Sequence, residues 1–427
     1  MSPFSYQNNV LCAESAPLTA IAKEFGTPTY VYSKAAIVEN FSAYANACKT
    51  HATPEGGALV CYSVKSNSNL AILQLLGRCG SGFDIVSGGE LLRVLAAGGS
   101  ADRIIFSGVG KTADEMRLAL MHGILCFNVE SIPELHRLNA VAIDLGKHAP
   151  VSLRVNPNVD AKTHPYISTG LKESKFGVAY EDALETYRIA AALPGIEVVG
   201  IDCHIGSQLL DDAPLLEAVD KLIELIDQLA IEGIVIHHLD IGGGIGIDYE
   251  GDRPVAVADY LRRLFAKINA WRARQHGGQP IKVLFEPGRS IVGNAGILLT
   301  EVQYLKQGAA KNFAVVDAAM NDLMRPAMYQ AWHGVQAVVP RESAPTTYDV
   351  VGPVCESGDW LARSRELAIE EGDLLALMSA GAYGMTMASN YNTRGRAAEI
   401  LVDGASWHRV RQREAPQDLF ALESLLD

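Results

Sequence analysis

Short apolar runs alternate with amphipathic stretches through the first two thirds of the chain. The stretches between the runs, such as residues 69–79 and 180–193, place apolar residues at i, i+3 and i+4, which is typical of helices lying on a sheet. The runs are rich in the β-branched and aromatic residues that favour strands. They span residues 58–65, 83–88, 104–109, 125–130, 151–157, 198–206, 236–244 and 283–288.

This repetition over roughly 230 residues predicts a (β/α)8 TIM-type barrel, an α/β fold. An open, doubly wound sheet has the same local alternation and is the competing interpretation. A barrel brings the carboxyl ends of its strands to one mouth, whereas an open sheet spreads them along an edge. Polar residues or glycines stand at those ends, which favours the barrel: Lys65, Ser87, Ser107, Asn128, Asn156, His204, Gly242–Gly244 and Glu286.

The pattern changes after Arg289. Strand-like runs follow with few helices between them, and Asp403–Gly404 is a plausible hairpin turn. Residues 28–33 also have a strand pattern, and we expect them to join this second sheet. We therefore predict a barrel over residues 34–289, and a mainly β domain, a sandwich or small barrel, formed by residues 1–33 and 290–427.

The composition argues against several kinds of partner and site. Lysine and arginine total 36 against 49 aspartates and glutamates, a net charge of −13, which disfavours nucleic-acid and anionic-membrane partners. The seven cysteines are scattered without a CxxC pair, so they indicate neither a disulfide framework nor a zinc site. The first residues lack the features of a signal peptide, and no run approaches 18 apolar residues. We expect a soluble cytoplasmic protein without a metal site.

Two loops after the last two predicted strands suggest an anion site. Gly242–Gly244 follows the seventh strand, and the sequence Glu-Pro-Gly-Arg ending at Arg289 follows the eighth. Barrels often bind phosphate at this position through backbone N–H groups. A tight turn would explain the glycines alone, but the arginine favours an anion. Nucleotide motifs do not fit, because Ile105 and Ile247 occupy required glycine positions of the Walker A and GxGxxG patterns.

Lys65, His204 and Glu286 add chemistry to this anion site. A lysine can form a Schiff base with an aldehyde, and a carboxylate keeps a neighbouring pyridine nitrogen protonated. An aldehyde with both a phosphate and a pyridine nitrogen is pyridoxal 5′-phosphate (PLP), whose phosphate would lie on Gly243 and Gly244. Taken singly, Lys65 could mark a strand end and His204 a buried core side chain. Their combination favours a PLP site.

Eight stretches in order along the chain resemble the diaminopimelate decarboxylases, within the alanine racemase-like (fold type III) PLP enzymes. The resemblance extends over residues 28 to 410 and implies a PLP-dependent enzyme with a barrel and a β domain. The matching stretches are CYSVKSNSN (61–69), GSGFDIVSGGEL (80–91), HIGSQ (204–208), LDIGGGIG (239–246), EPGRSIVGNAG (286–296), LMRPAMY (323–329), GPVCESGD (352–359) and GAYGMTMASNYN (381–392).

The resemblance implies a role for each matched residue. The implied catalytic residues are Lys65, which forms the Schiff base, His204, which stacks on the cofactor, and Cys355, the acid that protonates the substrate. The implied cofactor-binding residues are Lys65, His204, Ser207, Gly243, Gly244, Glu286, Gly288, Arg289 and Tyr383. The implied substrate-binding residues are Arg289, Arg325, Tyr329, Glu356 and Tyr383. Arginine suits this task because its fork pairs with a carboxylate through two hydrogen bonds.

The resemblance further implies decarboxylation of meso-2,6-diaminopimelate to L-lysine and CO2, the last step of lysine biosynthesis by the diaminopimelate route. It also implies a homodimer in which Cys355 and Glu356 are supplied to the neighbouring subunit. Ser63 and Ser66 depart from the alanines usual around the lysine, and none of the departures removes a catalytic group.

Two alternatives remain at this point. A related decarboxylase of the same fold could act on ornithine, arginine or carboxynorspermidine, but such enzymes need no arginines for a distal carboxylate. A non-catalytic PLP-binding regulatory homologue would be expected to lose Lys65 or Cys355, and this chain keeps both.

Overall fold

The computed structural model describes residues 2–53, 56–160, 175–274 and 280–426. The chain forms two compact units. The barrel unit comprises Asn40–Ile247 and Arg253–Ser290. The β unit comprises Met1–Glu39, Asp248–Asp252 and Ile291–Asp427. Within the described ranges, none of the helices combines the length and apolar character that a bilayer crossing requires.

The strands, in chain order, are β1 (Phe4–Gln7), β2 (Val10–Ala13), β3 (Ala16–Pro17), β4 (Thr29–Ser33), β5 (Ala58–Ser63), β6 (Gly82–Ile85), β7 (Ile104–Phe106), β8 (Cys126–Val129), β9 (Ala149–Asn156), β10 (Val178–Ala179), β11 (Ile196–Asp202), β12 (His238–Asp240), β13 (Lys282–Phe285), β14 (Gly296–Lys306), β15 (Asn312–Val316), β16 (Val335–Ala337), β17 (Thr346–Val351), β18 (Trp360–Leu367), β19 (Leu374–Leu377), β20 (Ala398–Asp403) and β21 (Ser406–Arg411).

The α-helices are α1 (Leu18–Phe25), α2 (Lys34–His51), α3 (Leu70–Arg78), α4 (Gly88–Ala96), α5 (Ala113–His122), α6 (Ile132–Asp144), α7 (Tyr180–Ala192), α8 (Ala213–Ile231), α9 (Val257–Arg274), α10 (Arg289–Val292) and α11 (Arg325–Tyr329). Short 3₁₀ turns occupy Val64–Ser66, Ala101–Arg103, Met385–Met387, Tyr391–Thr393 and Pro416–Phe420.

Parallel strands close into a barrel. In order around the barrel, the strands are β5, β6, β7, β8, β9, β11, β12 and β13, and β13 pairs with β5 to complete the circle. Strand β10 adds to the edge of β9. The predicted barrel is therefore confirmed and the open sheet is wrong, because an open sheet would leave its first and last strands unpaired.

Apolar side chains fill the barrel interior. Leu59, Cys61, Ile105, Cys126 and Leu284 form a buried cluster contributed by β5, β7, β8 and β13. Strands buried on both faces are mostly apolar, which explains the runs seen in the sequence.

Four of the loops that follow these strands end in N-caps. The side chains of Asn69, Ser87, Thr112 and Ser131 accept hydrogen bonds from the first turns of α3, α4, α5 and α6. Each such cap typically contributes about 1 kcal/mol to stability. Ser87, one of the polar strand-end residues, therefore serves its own helix.

The β unit contains a sheet in the order β18-β17-β15-β14-β4-β20-β21, from which β16 and β19 branch at β14. Strand β4 pairs antiparallel with β14 and parallel with β20, so residues 28–33 join this sheet as predicted. Strands β20 and β21 form the expected hairpin, in which Gly404 adopts a φ of 65°. Glycine suits that left-handed turn because it has no Cβ.

The sequence did not predict β1 to β3, β16 or β18 of the β unit. Strands β1, β2 and β3 form a small separate sheet, whose first hairpin turns through Asn8 and Asn9 with φ values of 49° and 62°. Asparagine tolerates this conformation, so the Asn-Asn pair was a usable turn signal. Strand β18 was missed because its charged residues interrupt the apolar pattern.

Candidate active site

Lys65 lies at the carboxyl end of β5, in the 3₁₀ turn Val64–Ser66. Its Nζ is 2.8 Å from Oδ2 of Asp84 on β6. The Asp84 side chain is fully buried, whereas the Lys65 side chain is 37% exposed. The same Asp84 oxygen accepts a hydrogen bond of 2.7 Å from Ser63 Oγ. The lysine amine is thus held by a buried carboxylate and remains accessible from the barrel mouth.

Ser63 and Ser66, which depart from the alanines usual around the lysine, fit this turn. Ser66 Oγ donates to Ser63 O at 2.8 Å and so closes the turn that carries Lys65. A Cβ on Gly288 would lie 2.9 Å from Ser66 Oγ, closer than real Cβ contacts. Gly288 is therefore needed for the loop after β13 to pass this turn.

Glu286 follows β13 directly and is buried. Its Oε1 accepts hydrogen bonds from Asn128 Nδ2 at 3.2 Å and from Ser107 Oγ at 3.3 Å. Both donors are strand-end residues singled out in the sequence, so the barrel brings three of that set together. Burial, and then the charges of Asp240 and Asp84, raise the pKa of Glu286 well above its usual value.

Asp202 and Asp240 end β11 and β12 and form a carboxyl triad with Glu286. One carboxylate oxygen from each lies within 4.8 Å of the others, and all three residues are buried. Burial raises the pKa of Asp240 to about 7 and that of Asp202 well above its usual value. The positive charge of Arg154 lowers the pKa of Asp202, and that of Lys65 lowers the pKa of Asp240, but neither cancels the rise. Such a triad favours a positive charge placed against it, whether a ring cation or a metal ion.

The glycine loop after β12 packs closely against its neighbours. A Cβ on Gly243 would lie 2.3 Å from the backbone oxygen of Glu286, and one on Gly244, whose φ is 111°, 2.5 Å from the oxygen of Gly206. The chain therefore requires glycine at both positions. Nearby, Arg289 Nη2 donates to Ser207 Oγ at 3.2 Å. Backbone N–H groups beside an arginine suit a phosphate.

His204 follows β11 and contacts the glycine loop. Its Nδ1 accepts a hydrogen bond of 3.2 Å from the N–H of Gly243, so the ring proton is on Nε2. Desolvation, and then Arg154 and Lys65, lower the pKa of His204 well below its usual value. The imidazole is therefore neutral, as expected for a ring that packs against an aromatic cofactor.

Several residues of this site were not identified from the sequence. Asp84, Asp202 and Asp240 lie inside the predicted apolar runs. Arg154 also lies inside such a run, and its buried Nη1 is 3.3 Å from Oε1 of the buried Glu130. A charged residue within a buried strand was the available signal, since unpaired charges are rarely buried. Asn156, by contrast, accepts a hydrogen bond from the N–H of Asn158 in its own turn.

The remaining predicted residues lie in the β unit. Arg325 and Tyr329 begin and end α11, and Arg325 is buried. Cys355 and Glu356 are exposed, and Glu356 Oε1 accepts a hydrogen bond of 2.5 Å from Tyr391. Tyr383 adopts a φ of 54°, a left-handed conformation that is uncommon for a bulky residue and often marks a functional position.

The barrel residues fit PLP. The glycine loop leaves no room for side chains at Gly243 and Gly244, and Arg289, whose charge suits an anion, bonds to Ser207 close by. A buried carboxyl triad and an accessible lysine lie at the ends of the barrel strands, and these groups suit a positive ring nitrogen and an aldehyde. The pyridoxal-binding domain of the pyridoxal-dependent decarboxylases matches residues 34–293.

The chain is 59% identical to the diaminopimelate decarboxylase of Pseudomonas aeruginosa and 53% identical to that of Vibrio cholerae, in each case over the full length of both chains. The chain belongs to the diaminopimelate decarboxylase family. It is therefore a pyridoxal-dependent decarboxylase of fold type III, and the predicted family, fold class and PLP cofactor are confirmed.

Solved structures of this family have the same fold. The diaminopimelate decarboxylase of Helicobacter pylori complexed with L-lysine superposes with a TM-score of 0.89 at 43% identity, covering 95% of this chain and 99% of that one. The M. jannaschii enzyme in co-complex with L-lysine has a TM-score of 0.93 at 37% identity, covering 99% and 98%. The individual roles assigned to residues of this decarboxylase remain predictions.

Proposed function

We propose that this decarboxylase converts meso-2,6-diaminopimelate to L-lysine and CO2, the last step of lysine biosynthesis by the diaminopimelate route. The observation that carries the proposal is the meeting of Lys65, the glycine loop and Glu286 at the carboxyl ends of one barrel. The full-length relatives named diaminopimelate decarboxylase support this substrate. Bound PLP supplies an aldehyde that joins to an amine and a protonated ring that draws electrons from the substrate carbon.

Lys65 is proposed to hold the cofactor and to exchange it with the substrate amine. A lysine reacts as the neutral amine, and its proton must therefore move to an acceptor. Asp84 Oδ2 is placed to accept it, at 2.8 Å from Nζ. Ser63 donates to the same oxygen and fixes the orientation of the carboxylate.

Glu286 is proposed to face the ring nitrogen and to keep it protonated. Asn128 and Ser107 hold one of its oxygens, so the carboxylate cannot rotate away. His204 is proposed to pack on the ring face with its neutral imidazole. Ser207, Gly243, Gly244, Gly288 and Arg289 are proposed to bind the phosphate.

Substrate recognition is proposed to involve Arg289, Arg325, Tyr329, Glu356 and Tyr383. The arginines suit the distal carboxylate and Glu356 suits the distal ammonium, because each offers the opposite charge. Cys355 Sγ is proposed to protonate the carbon that loses CO2. Tyr383 is also proposed to contact the cofactor, a role consistent with its left-handed backbone.

A homodimer with shared active sites is part of the proposal. Cys355 and Glu356 are exposed on their own chain, and the backbone N–H of Cys355 is held by Asn392 Oδ1 at 3.0 Å. An exposed, fixed loop can present its side chains to a second subunit. In a two-fold dimer, each chain would then complete the site of the other.

CO2 release in the presence of PLP tests the function. The protein is assayed on meso-diaminopimelate, ornithine, arginine and lysine, and release from diaminopimelate alone is expected. Lys65→Ala is expected to abolish both turnover and the visible absorbance of lysine-bound PLP. Lys65→Arg is the matched control, since it keeps the charge beside Asp84 but is too weak a nucleophile to bind the aldehyde. Release from ornithine but not from diaminopimelate would refute the proposed substrate.

A further inference from the structure

Two side chains of the β unit hold the guanidinium of Arg325. Its Nη1 donates to Tyr249 Oη at 2.8 Å and lies 3.1 Å from His333 Nε2. The guanidinium carbon also lies over the Tyr249 ring, 4.8 Å from its centroid. Nη1 thus has two acceptors, and the Tyr249 ring lies against the guanidinium plane. Together these contacts fix the direction in which the Arg325 side chain points.

The protonation state of His333 follows from its other contact. His333 is completely buried, and its Nδ1 lies 2.8 Å from the backbone oxygen of Met378. A carbonyl oxygen only accepts, so Nδ1 carries the proton. In the neutral ring, Nε2 then offers its lone pair, which is what the N–H of Arg325 requires. A protonated ring would turn an N–H towards a guanidinium and repel it.

The backbone around His333 is also held firmly. Its own carbonyl accepts a hydrogen bond of 3.2 Å from Arg365 Nη2. Met378, the acceptor for Nδ1, follows β19 and donates from its N–H to Gly334 O at 2.8 Å. The Tyr249 ring meets the imidazole edge to face, with ring centroids 5.5 Å apart. The imidazole is thus fixed at both nitrogens and on its face.

We propose that His333 is a positioning residue that aims Arg325 at the distal carboxylate of the substrate. The inference rests on the proposed function, in which Arg325 binds that carboxylate. A bidentate arginine–carboxylate pair is sensitive to the orientation of the guanidinium plane, so an arginine held in advance binds its partner with a smaller loss of entropy. His333 therefore contributes to the preference for a substrate that has a second carboxylate.

Two substitutions separate the two contacts of His333. His333→Asn places an amide near the position of Nδ1, so it can keep the hydrogen bond to Met378 O but cannot reach Arg325. His333→Gln places an amide near the position of Nε2, so its oxygen can accept from Arg325. The first variant is expected to raise the KM for meso-diaminopimelate roughly tenfold or more with kcat within about twofold, the usual effect of losing one charge-assisted hydrogen bond. The second is expected to remain near wild type.

A general structural role would give a different result. If His333 only stabilised the fold, both variants would lower kcat and the melting temperature together. Equal KM increases in the two variants, or no increase in His333→Asn, would overturn the proposal.

The same substitution in an Arg325→Met background shows whether His333 acts through the arginine. His333→Asn is then expected to leave the already raised KM unchanged, since residues that act through one another are not additive. A further increase equal to that in the wild-type background would overturn the proposal. If Arg325→Met itself leaves KM unchanged, the arginine does not bind the carboxylate and the positioning role fails with it.

A measurement that needs no substrate separates this inference from the proposed reaction. In holoenzyme with ¹⁵N-labelled histidine, the His333 signal, assigned by its loss in His333→Gln, is expected to show a protonated Nδ1 and an unprotonated Nε2 between about pH 6 and 8. If the wild-type enzyme failed to act on diaminopimelate, the proposed reaction would be refuted. The tautomer of His333 would still show whether its Nε2 accepts from Arg325. A protonated Nε2 would overturn the proposal whatever the activity.

Discussion

Lys65 and Asp84 form an ion pair with an Nζ–Oδ2 distance of 2.8 Å, in which the carboxylate is fully buried and the lysine is 37% exposed. Taking a carboxylate out of water is costly unless a cation and hydrogen bonds compensate for it. Here the compensation comes from Lys65 and from Ser63 Oγ, which donates to the same oxygen at 2.7 Å. The pair thus stabilises a buried charge while presenting the amine at the barrel mouth.

Asp84→Asn is expected to lower kcat/KM by roughly tenfold or more, because the substitution removes both the proton acceptor and the charge that positions Lys65 Nζ. Steady-state CO2 release measures this effect. Ser63→Ala is the matched control, since it removes one hydrogen bond to Asp84 but leaves its charge, and a smaller decrease is expected. Equal activity of Asp84→Asn and wild type would show that the ion pair plays no part in turnover.

Glu286→Gln is expected to lower kcat about a hundredfold or more, because an amide cannot balance a positive ring nitrogen. The cofactor-free variant is expected to melt at a higher temperature than the cofactor-free wild type. Burial, and then repulsion by Asp240 and Asp84, raise the pKa of Glu286, and replacing this carboxyl by an amide relieves both costs. Activity and calorimetry together check the prediction, which a lower melting temperature or an unchanged kcat would contradict.

The stability of the cofactor-free protein is expected to fall as the pH rises from about 4 to about 7. Burial raises the folded-state pKa of Asp240 from 3.8 to about 7, so the folded state binds its proton more tightly than the unfolded state does. This contribution is present in full below the unfolded pKa and is lost as the pH rises through the folded pKa. A single group changes stability by up to about 1.4 kcal/mol per pH unit.

Denaturant unfolding at several pH values measures that slope. Asp240→Asn is expected to flatten the slope, whereas Asp114→Asn, which replaces an exposed aspartate of α5, is expected to leave it unchanged. A slope that is the same in wild type and Asp240→Asn would refute the assignment to this group.

A shared active site predicts complementation between inactive variants. Lys65→Ala and Cys355→Ala are each expected to have little activity, but subunits mixed and exchanged are expected to recover about a quarter of the wild-type rate, since half of the dimers contain one intact site. Mixing Lys65→Ala with Lys65→Arg is the control and should recover nothing. If the first mixture also stayed inactive after proven subunit exchange, Lys65 and Cys355 would act within one chain.

The fold was largely predictable from the sequence because its strands are buried on both faces. Such strands are mostly apolar, so the runs at residues 58–65 and 283–288 mark barrel strands directly. Strand β18 was missed because it alternates buried residues with exposed charges such as Arg363 and Glu366. Its pairing with β17 overrides that weak local signal.

By itself, the sequence determined the alternation of strands and helices that favours a barrel, the family and the identity of the chemical groups at the strand ends, since side-chain type and order along the chain carry that information. The pairing of β13 with β5 decided for the barrel against the open sheet. Only the tertiary structure decided which groups act on one another. Asp84 and Lys65 are 19 positions apart, and His333 and Met378 are 45 positions apart, yet each pair is joined by a hydrogen bond of 2.8 Å. Burial, ion pairing and tautomeric state depend on these distances in space, which residue type alone does not specify.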